Sequence, residues 1–171
     1  MAVPTVPTFT PGVLASSTLN ALGDALRFAI DPPSAIATRT GAAQSVPNAT
    51  FTAITLDTEV ADNDGLWDSG SPTVLTMSED GLWLAGGHLL FASNATGYRQ
   101  ADLQRNATTF ETSDVKAAVS GVATSVHATG LLLLAASDTL RILAYQTSGG
   151  ALNTWATDRF PRLWATRQSG A

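Results

Sequence analysis

The sequence predicts an all-β protein: a jelly-roll β-sandwich with a short N-terminal extended arm and one helix. Three observations predict it. From Phe51 onward apolar and polar residues alternate with period two. Gly, Asn, Asp and Ser turn signals break this alternation at short intervals, leaving roughly eight to ten strands. Only one segment, near the N-terminus, carries helical spacing, so strands and helices do not alternate as in a parallel α/β fold.

The elements read in order as follows. Met1–Pro11 contains Pro4, Pro7 and Pro11 among small and β-branched residues, the composition of an extended arm. A helix follows, with Ser16 or Ser17 as N-cap. Leu19, Leu22, Leu26 and Ile30 recur at helical spacing as one apolar stripe, and Asp31-Pro32-Pro33 stops the helix. About four turns are marginal alone, so the stripe needs cover: the chain's own sandwich, sister helices or another protein. The proline arm before it and the loose Ser/Thr/Ala-rich linker Ser34–Asn48 after it favour docking or self-association. The chain therefore divides into residues 1–46, arm and anchoring helix, and residues 47–171, the sandwich.

Within the sandwich, "TFTAITLDTEV" alternates, and "PTVLTM" at Pro72–Met77 is a short strand. "GLWLAGGHLLFAS" is long and apolar on both faces, as a central strand should be. Gly86 and Gly87 stand at its middle, where glycine weakens a strand unless something approaches closely. A turn at Asn94–Gly97 leads to the alternating "YRQADLQRN". "VKAAVSGVATSVHA" fits helix or strand, with Gly121 and its Thr and Ser favouring strand. "GLLLLAASDTLRILAYQT" reads as strand, Ser-Asp turn and strand, and "PRLWATRQ" closes the fold.

Composition bounds the function. Charged residues are only 13% of the 171, against about 25% in ordinary domains, while hydrophobic residues reach 44%. Burial of surface in an assembly accounts for this, as does a hydroxyl-rich exterior. The net charge of −5 and the single lysine, Lys116, argue against nucleic-acid partners and against anionic membranes. The absence of cysteine excludes disulfides and thiolate chemistry. "MAVPTVPTFTPG" has neither the basic nor the apolar region of a secretory signal, and no stretch approaches the roughly 20 apolar residues that span a bilayer.

Candidate chemical sites are weak. Asp57, Glu59, Asp62, Asp64 and Asp68 cluster, but EF-hand spacing would put Val60 and Ser71 at the first and last ligand positions; a solvated loop is expected. His88 and His127 lie on separate apolar strands and read as sheet histidines. Asn48, Asn94 and Asn106 begin Asn-x-Thr triplets and read as turn residues. Trp67, Trp83, Trp155 and Trp164 are read as core or interface packing rather than a carbohydrate platform. No Gly-x-Ser-x-Gly elbow, phosphate loop or carboxylate pair can be assigned. No enzyme, cofactor or metal is therefore expected.

Residues Asp57–Asn106, with "GLWD" and the "EDGLW" turn into a long strand, together with "LLLLAASDTLRILAYQTSGGALN", resemble the globular-head jelly roll of complement-type and tumour-necrosis-factor-like proteins. Phage structural proteins often carry this module. The leader "FTPGVLASSTLNALGDALRFAIDPPSA" is similar to the N-terminal segment ahead of such modules in tailed-phage virion proteins. The resemblance implies a homotrimer of jelly rolls mounted by an N-terminal anchor. That would make the chain a structural protein on the virion exterior, a capsid decoration or head fibre. Leu19, Leu22, Leu26 and Ile30 would face the major capsid protein or another virion protein. The alternative is a tail-fibre or tail-tip module that recognises a host glycan. Gly86-Gly87 departs from the family pattern, in which bulkier strand residues are usual.

Overall fold

Alternation along the chain becomes two facing antiparallel sheets. The structure, a computed structural model, describes residues 15–169; the expected arm Met1–Pro11 lies outside the described residues. Helix α1 (Ser16–Ile30) precedes β1 (Ser34–Thr38), β2 (Ser45–Val46), β3 (Thr52–Ala53), β4 (Thr58–Asp62), β5 (Leu75–Thr76) and β6 (Gly81–Phe91). Then come β7 (Tyr98–Arg105), β8 (Thr109–Ala117), β9 (Thr124–Leu134), β10 (Thr139–Gln146), β11 (Leu152–Asn153) and β12 (Arg162–Ser169). The first sheet runs β4-β1-β12-β6-β9 and the second β3-β10-β7-β8, with β5 also on β10 and β11-β2 as a separate ribbon. The expected all-β jelly-roll sandwich with one helix is the fold.

Period two sorts the side chains. On β6, Trp83, Ala85, Leu89 and Phe91 point into the core, and on β9 so do Val126, Ala128, Leu132 and Leu134. Leu140, Ile142 and Ala144 of β10 and Ala101 and Leu103 of β7 face them from the other sheet. Leu163 and Ala165 of β12 and Ala35 and Ala37 of β1 complete the core.

The two glycines of β6 are where this packing is tightest. Gly87 turns inward, and a methyl group there would overlap Ile142 Cδ1 of the facing sheet. Gly86 turns outward; its methyl would sit 2.5 Å from Trp164 Cζ2 and 2.8 Å from Thr129 Oγ1. Trp164 and Thr129 are its cross-strand partners on β12 and β9. Bare backbone thus lets one large side chain lie on each face of the central strand.

Polar groups close the ends of the sandwich. The Arg99 guanidinium is fully buried and donates to the Asn94, Thr96 and Tyr98 carbonyls at 3.0 Å each, which clamps the Asn94–Gly97 turn. Gln146, also buried, donates to the Val46 and Gly150 carbonyls and so ties the loop after β10 to β2. Asp138 accepts from the Ala135 N–H and the Asn106 amide, holding the Ser137-Asp138 turn. The free edge of β9 is covered from β8: Asp114 takes the His127 N–H and Lys116 donates to the Ser125 carbonyl.

Several expectations need correction. Ser34–Asn48 is not a loose linker. Its first residues form β1, paired throughout with Arg162–Thr166 of β12, and Ser45–Val46 pairs with β11. A boundary after residue 46 therefore cuts through the sandwich, and α1 joins the body at Pro32-Pro33. "SAIAT" is too short and too small-sided to read as a strand alone; the β4 and β12 edges make it one. The N-cap is Ala15, without a side-chain cap, rather than Ser16 or Ser17. "VKAAVSGVATSVHA" is the end of β8, a turn and the start of β9, with Gly121 in the turn at φ +75°. "TFETSDVKA" is a full strand whose Thr- and Asp-bearing exterior hid it.

Replacing Gly87 with Val should overpack the core and cost about 1–3 kcal/mol in denaturant unfolding. Gly87→Ala combined with Ile142→Val, which removes the obstructing Cδ1, should destabilise less than the two single changes summed. Strict additivity would mean that Ile142 is not the obstruction.

Candidate functional site

Helix α1 presents its apolar stripe to solvent. Leu19 and Leu26 are each 50% exposed and Ile30 is 79% exposed, and the helix has no buried residue. Leu22 is half-buried, with Thr18, Ala25 and Phe28. The Phe28 ring lies under the Arg167 guanidinium, 4.9 Å from centroid to Cζ. Arg167 is itself buried: it pairs with Glu79 at 2.5 Å and donates to the Asp80 carbonyl at 2.7 Å. A cleft of about 260 Å³ between α1 and the sandwich rim is lined by Asp24, Arg27, Asp31, Asn63 and Asp64 as well as this trio. The helix thus meets its own sandwich through Phe28, while Leu19, Leu26 and Ile30 remain open.

A second apolar surface is the outer face of the first sheet. Leu131 and Leu133 of β9 are 57% and 65% exposed, beside half-buried Leu84 and Leu82 of β6, their cross-strand partners. Trp164 of β12 and Ile36 of β1, also paired, continue the patch. This face is made by elements far apart in the chain, so no single run of sequence displays it. At its other end His88 and His127 are direct cross-strand partners. Their rings stack with centroids 4.6 Å apart, and both Nε2 atoms meet the Ser125 hydroxyl, at 3.1 Å and 2.8 Å. Burial pushes the His88 imidazole below its ordinary value; the charge of His127, Arg162 and Arg159 adds to this, against a hydrogen bond that the ring donates to the Phe160 backbone.

The outer face of the second sheet carries aromatic rings. Phe51 lies 4.7 Å from Tyr145 and 5.3 Å from Phe110, and Tyr98 stacks on Tyr145 at 5.8 Å, as measured between centroids. Gln100 and Asp102 share this face; one Asp102 oxygen accepts from the Gln100 amide at 3.0 Å. These rings are scattered through the sequence, and only the register of β3, β7, β8 and β10 gathers them.

The remaining candidates have local roles. The acidic segment is not simply solvated: Asp57 accepts from the Thr40 and Gly41 N–H groups, Asp62 from Asp64 and Trp67, and Asp68 from Gly70. Among the described residues no group of three or more His, Asp or Glu could hold a metal ion. Asn48, Asn94 and Asn106 accept backbone N–H bonds at turns. Trp83 is in the core and Trp164 lies on the outer sheet face, so the four tryptophans form no common platform.

Arg167→Ala should cost about 1.5–3 kcal/mol, since it deletes charged hydrogen bonds at a buried position. It should also loosen α1, seen as faster amide hydrogen exchange across Ser16–Ile30. Unchanged exchange there would show that Phe28 and Arg167 do not hold the helix.

No family model matches this chain, and no curated protein matches it. Solved structures do match by shape. The globular domain of zebrafish complement 1qA protein superposes with a TM-score of 0.61 at 13% identity, over 81% of this chain and 99% of that one. Eiger TNF from S. frugiperda gives 0.60 at 13% identity, over 82% and 95%. Murine APRIL at pH 5.0 gives 0.62 at 10% identity, over 81% and 100%. At such identities the likeness is one of fold: the chain is similar to the jelly rolls of complement 1q and tumour-necrosis-factor proteins.

Proposed function

We propose that the chain is a homotrimeric structural protein of a tailed-phage virion, a capsid decoration or head fibre displayed on the particle exterior. In this reading the outer face of the first sheet joins the three subunits. The N-terminal segment, through Leu19, Leu22, Leu26 and Ile30, fixes them to the major capsid protein or another virion protein. The observation that carries it is the presence of two separate uncovered apolar surfaces in one chain. One is a rigid sheet face suited to self-association. The other is a helix stripe turned away from its own sandwich. Burying Leu82, Leu84, Leu131 and Leu133 would contribute roughly 1.5–3 kcal/mol per side chain before ordering costs. Three linked helices would raise retention further through effective concentration. The low charge content has the same explanation. The uncovered apolar surfaces support a binding and scaffolding role rather than catalysis.

The second reading, a tail-fibre or tail-tip module for a host glycan, is favoured by one observation. Phe51, Phe110, Tyr98 and Tyr145 are partly exposed beside Gln100, and aromatic faces with adjacent amides suit sugar rings.

Sedimentation of the full chain should give three subunits per particle. Leu84→Asp with Leu133→Asp should give a folded monomer; a variant that remains trimeric would remove this face from the interface. Because β1 begins at Ser34, the anchor is tested by deleting residues 1–32 rather than 1–46. That variant should stay trimeric yet fail to co-pellet with particles lacking the protein, and Leu19→Asp with Leu26→Asp should do nearly the same. Undiminished binding would place the anchor in the jelly roll, and binding to tails but not heads would favour the second reading.

A further inference from the structure

We infer that the stacked His88–His127 pair makes assembly through the outer face of the first sheet pH-dependent, holding subunits together while both rings are neutral and releasing them on protonation. This rests on the trimer reading above and adds its regulation.

The geometry suits neutral rings. One hydroxyl, Ser125 Oγ, serves both Nε2 atoms at 3.1 Å and 2.8 Å. It can donate its proton to one ring and accept an N–H from the other, so a single hydroxyl satisfies two neutral imidazoles of opposite tautomer. With both rings protonated, the hydroxyl oxygen must accept two N–H groups and its own proton loses its ring acceptor. Protonation also sets two cations in rings 4.6 Å apart.

The surroundings relieve that charge only in part: the Phe160 backbone accepts from His88 and the Asp114 carboxylate attracts His127, against three nearby cations. Arg162 of β12 is the other cross-strand partner of His88, and Arg159 precedes β12 beside it in a recess of about 520 Å³. From β8, Lys116 donates to the Ser125 carbonyl. Two acids are near, and both are engaged: Asp114 accepts the His127 N–H and pairs with Lys116, and Asp158 accepts from Trp155 Nε1.

His88 is held below its ordinary value first by burial. Covering the face with another subunit removes more water and deepens that depression. Above about pH 6.5 the ring is neutral in free and assembled chains alike, and no linkage exists. As pH falls into the lowered range where His88 protonates, the separated chains bind protons before the assembled ones do, so dissociation is favoured.

The test is sedimentation of the full chain at about pH 8 and about pH 5, with near-ultraviolet circular dichroism to confirm that the sandwich stays folded. The expected result is a trimer at the higher pH and a dissociation constant raised by at least about tenfold at the lower. His88→Gln with His127→Gln should remain trimeric at both. Equal trimer stability at the two pH values overturns the inference but leaves the trimer reading intact. Parallel acid dissociation of the double variant also overturns it. A monomer at the higher pH overturns both.

Discussion

The structure depends on how closely two large side chains approach the middle of β6. Ile142 reaches across from the second sheet onto the bare backbone of Gly87, and Trp164 lies over Gly86 from the neighbouring strand. A Cβ at Gly87 would force the sheets apart or displace Ile142, and one at Gly86 would displace Trp164. Protein interiors have density close to that of organic crystals, so such a displacement would spread to its neighbours. Trp83, Leu89, Val126 and Leu140 around this contact are all fully buried. Central strands normally gain stability from bulky side chains. Here the strand gives up two of them: Ile142 of β10 locks the sheets together at Gly87, and Trp164 of β12 fills the outer face at Gly86.

The same alternation that builds the core decides what the exterior offers. The inward set of β9 is Val126, Ala128, Leu132 and Leu134; the outward set is Ser125, His127, Thr129, Leu131 and Leu133. An ordinary solvent-facing strand would carry charges at the second set. This one carries leucines and a histidine instead, and Leu82, Leu84 and Trp164 lie beside them. The charge shortage read from composition is thus localised: much of it falls on one sheet face. Scattered exposed apolar residues are normal, whereas a contiguous patch on a rigid sheet marks an interaction surface.

Among the described residues, helix α1 is held against this body by the Phe28 ring. Arg167 is the last inward residue of β12, and burial of its guanidinium is tolerated because Glu79 and the Asp80 carbonyl meet it. Stacked on that cation, Phe28 orients the helix and leaves Leu19, Leu26 and Ile30 outward. The stripe legible as apolar spacing therefore has a direction, and that direction is set by contacts on a different side of the helix.

By itself the sequence determined the all-β class, the single helix and its proline stop, and the turns at Asn94–Gly97 and Ser137-Asp138. It also determined that something must press on Gly86-Gly87. These are local matters: period, turn chemistry and missing side chains act within a few residues. Only the tertiary structure decided the rest. β1 is a strand because β4 and β12 flank it, not because of anything in "SAIAT". Ile142 and Trp164 could not be named as the pressing residues, since they lie more than fifty residues from the glycines they cover. His88 and His127 read as two unrelated sheet histidines until the β6–β9 register set them face to face. Leu131 and Leu133 were part of an apolar run until the pleat sent them outward and Leu132 inward. The physical reason is common to all four: antiparallel pairing joins residues by register across long loops, and a shift of one residue would reverse which side chains meet.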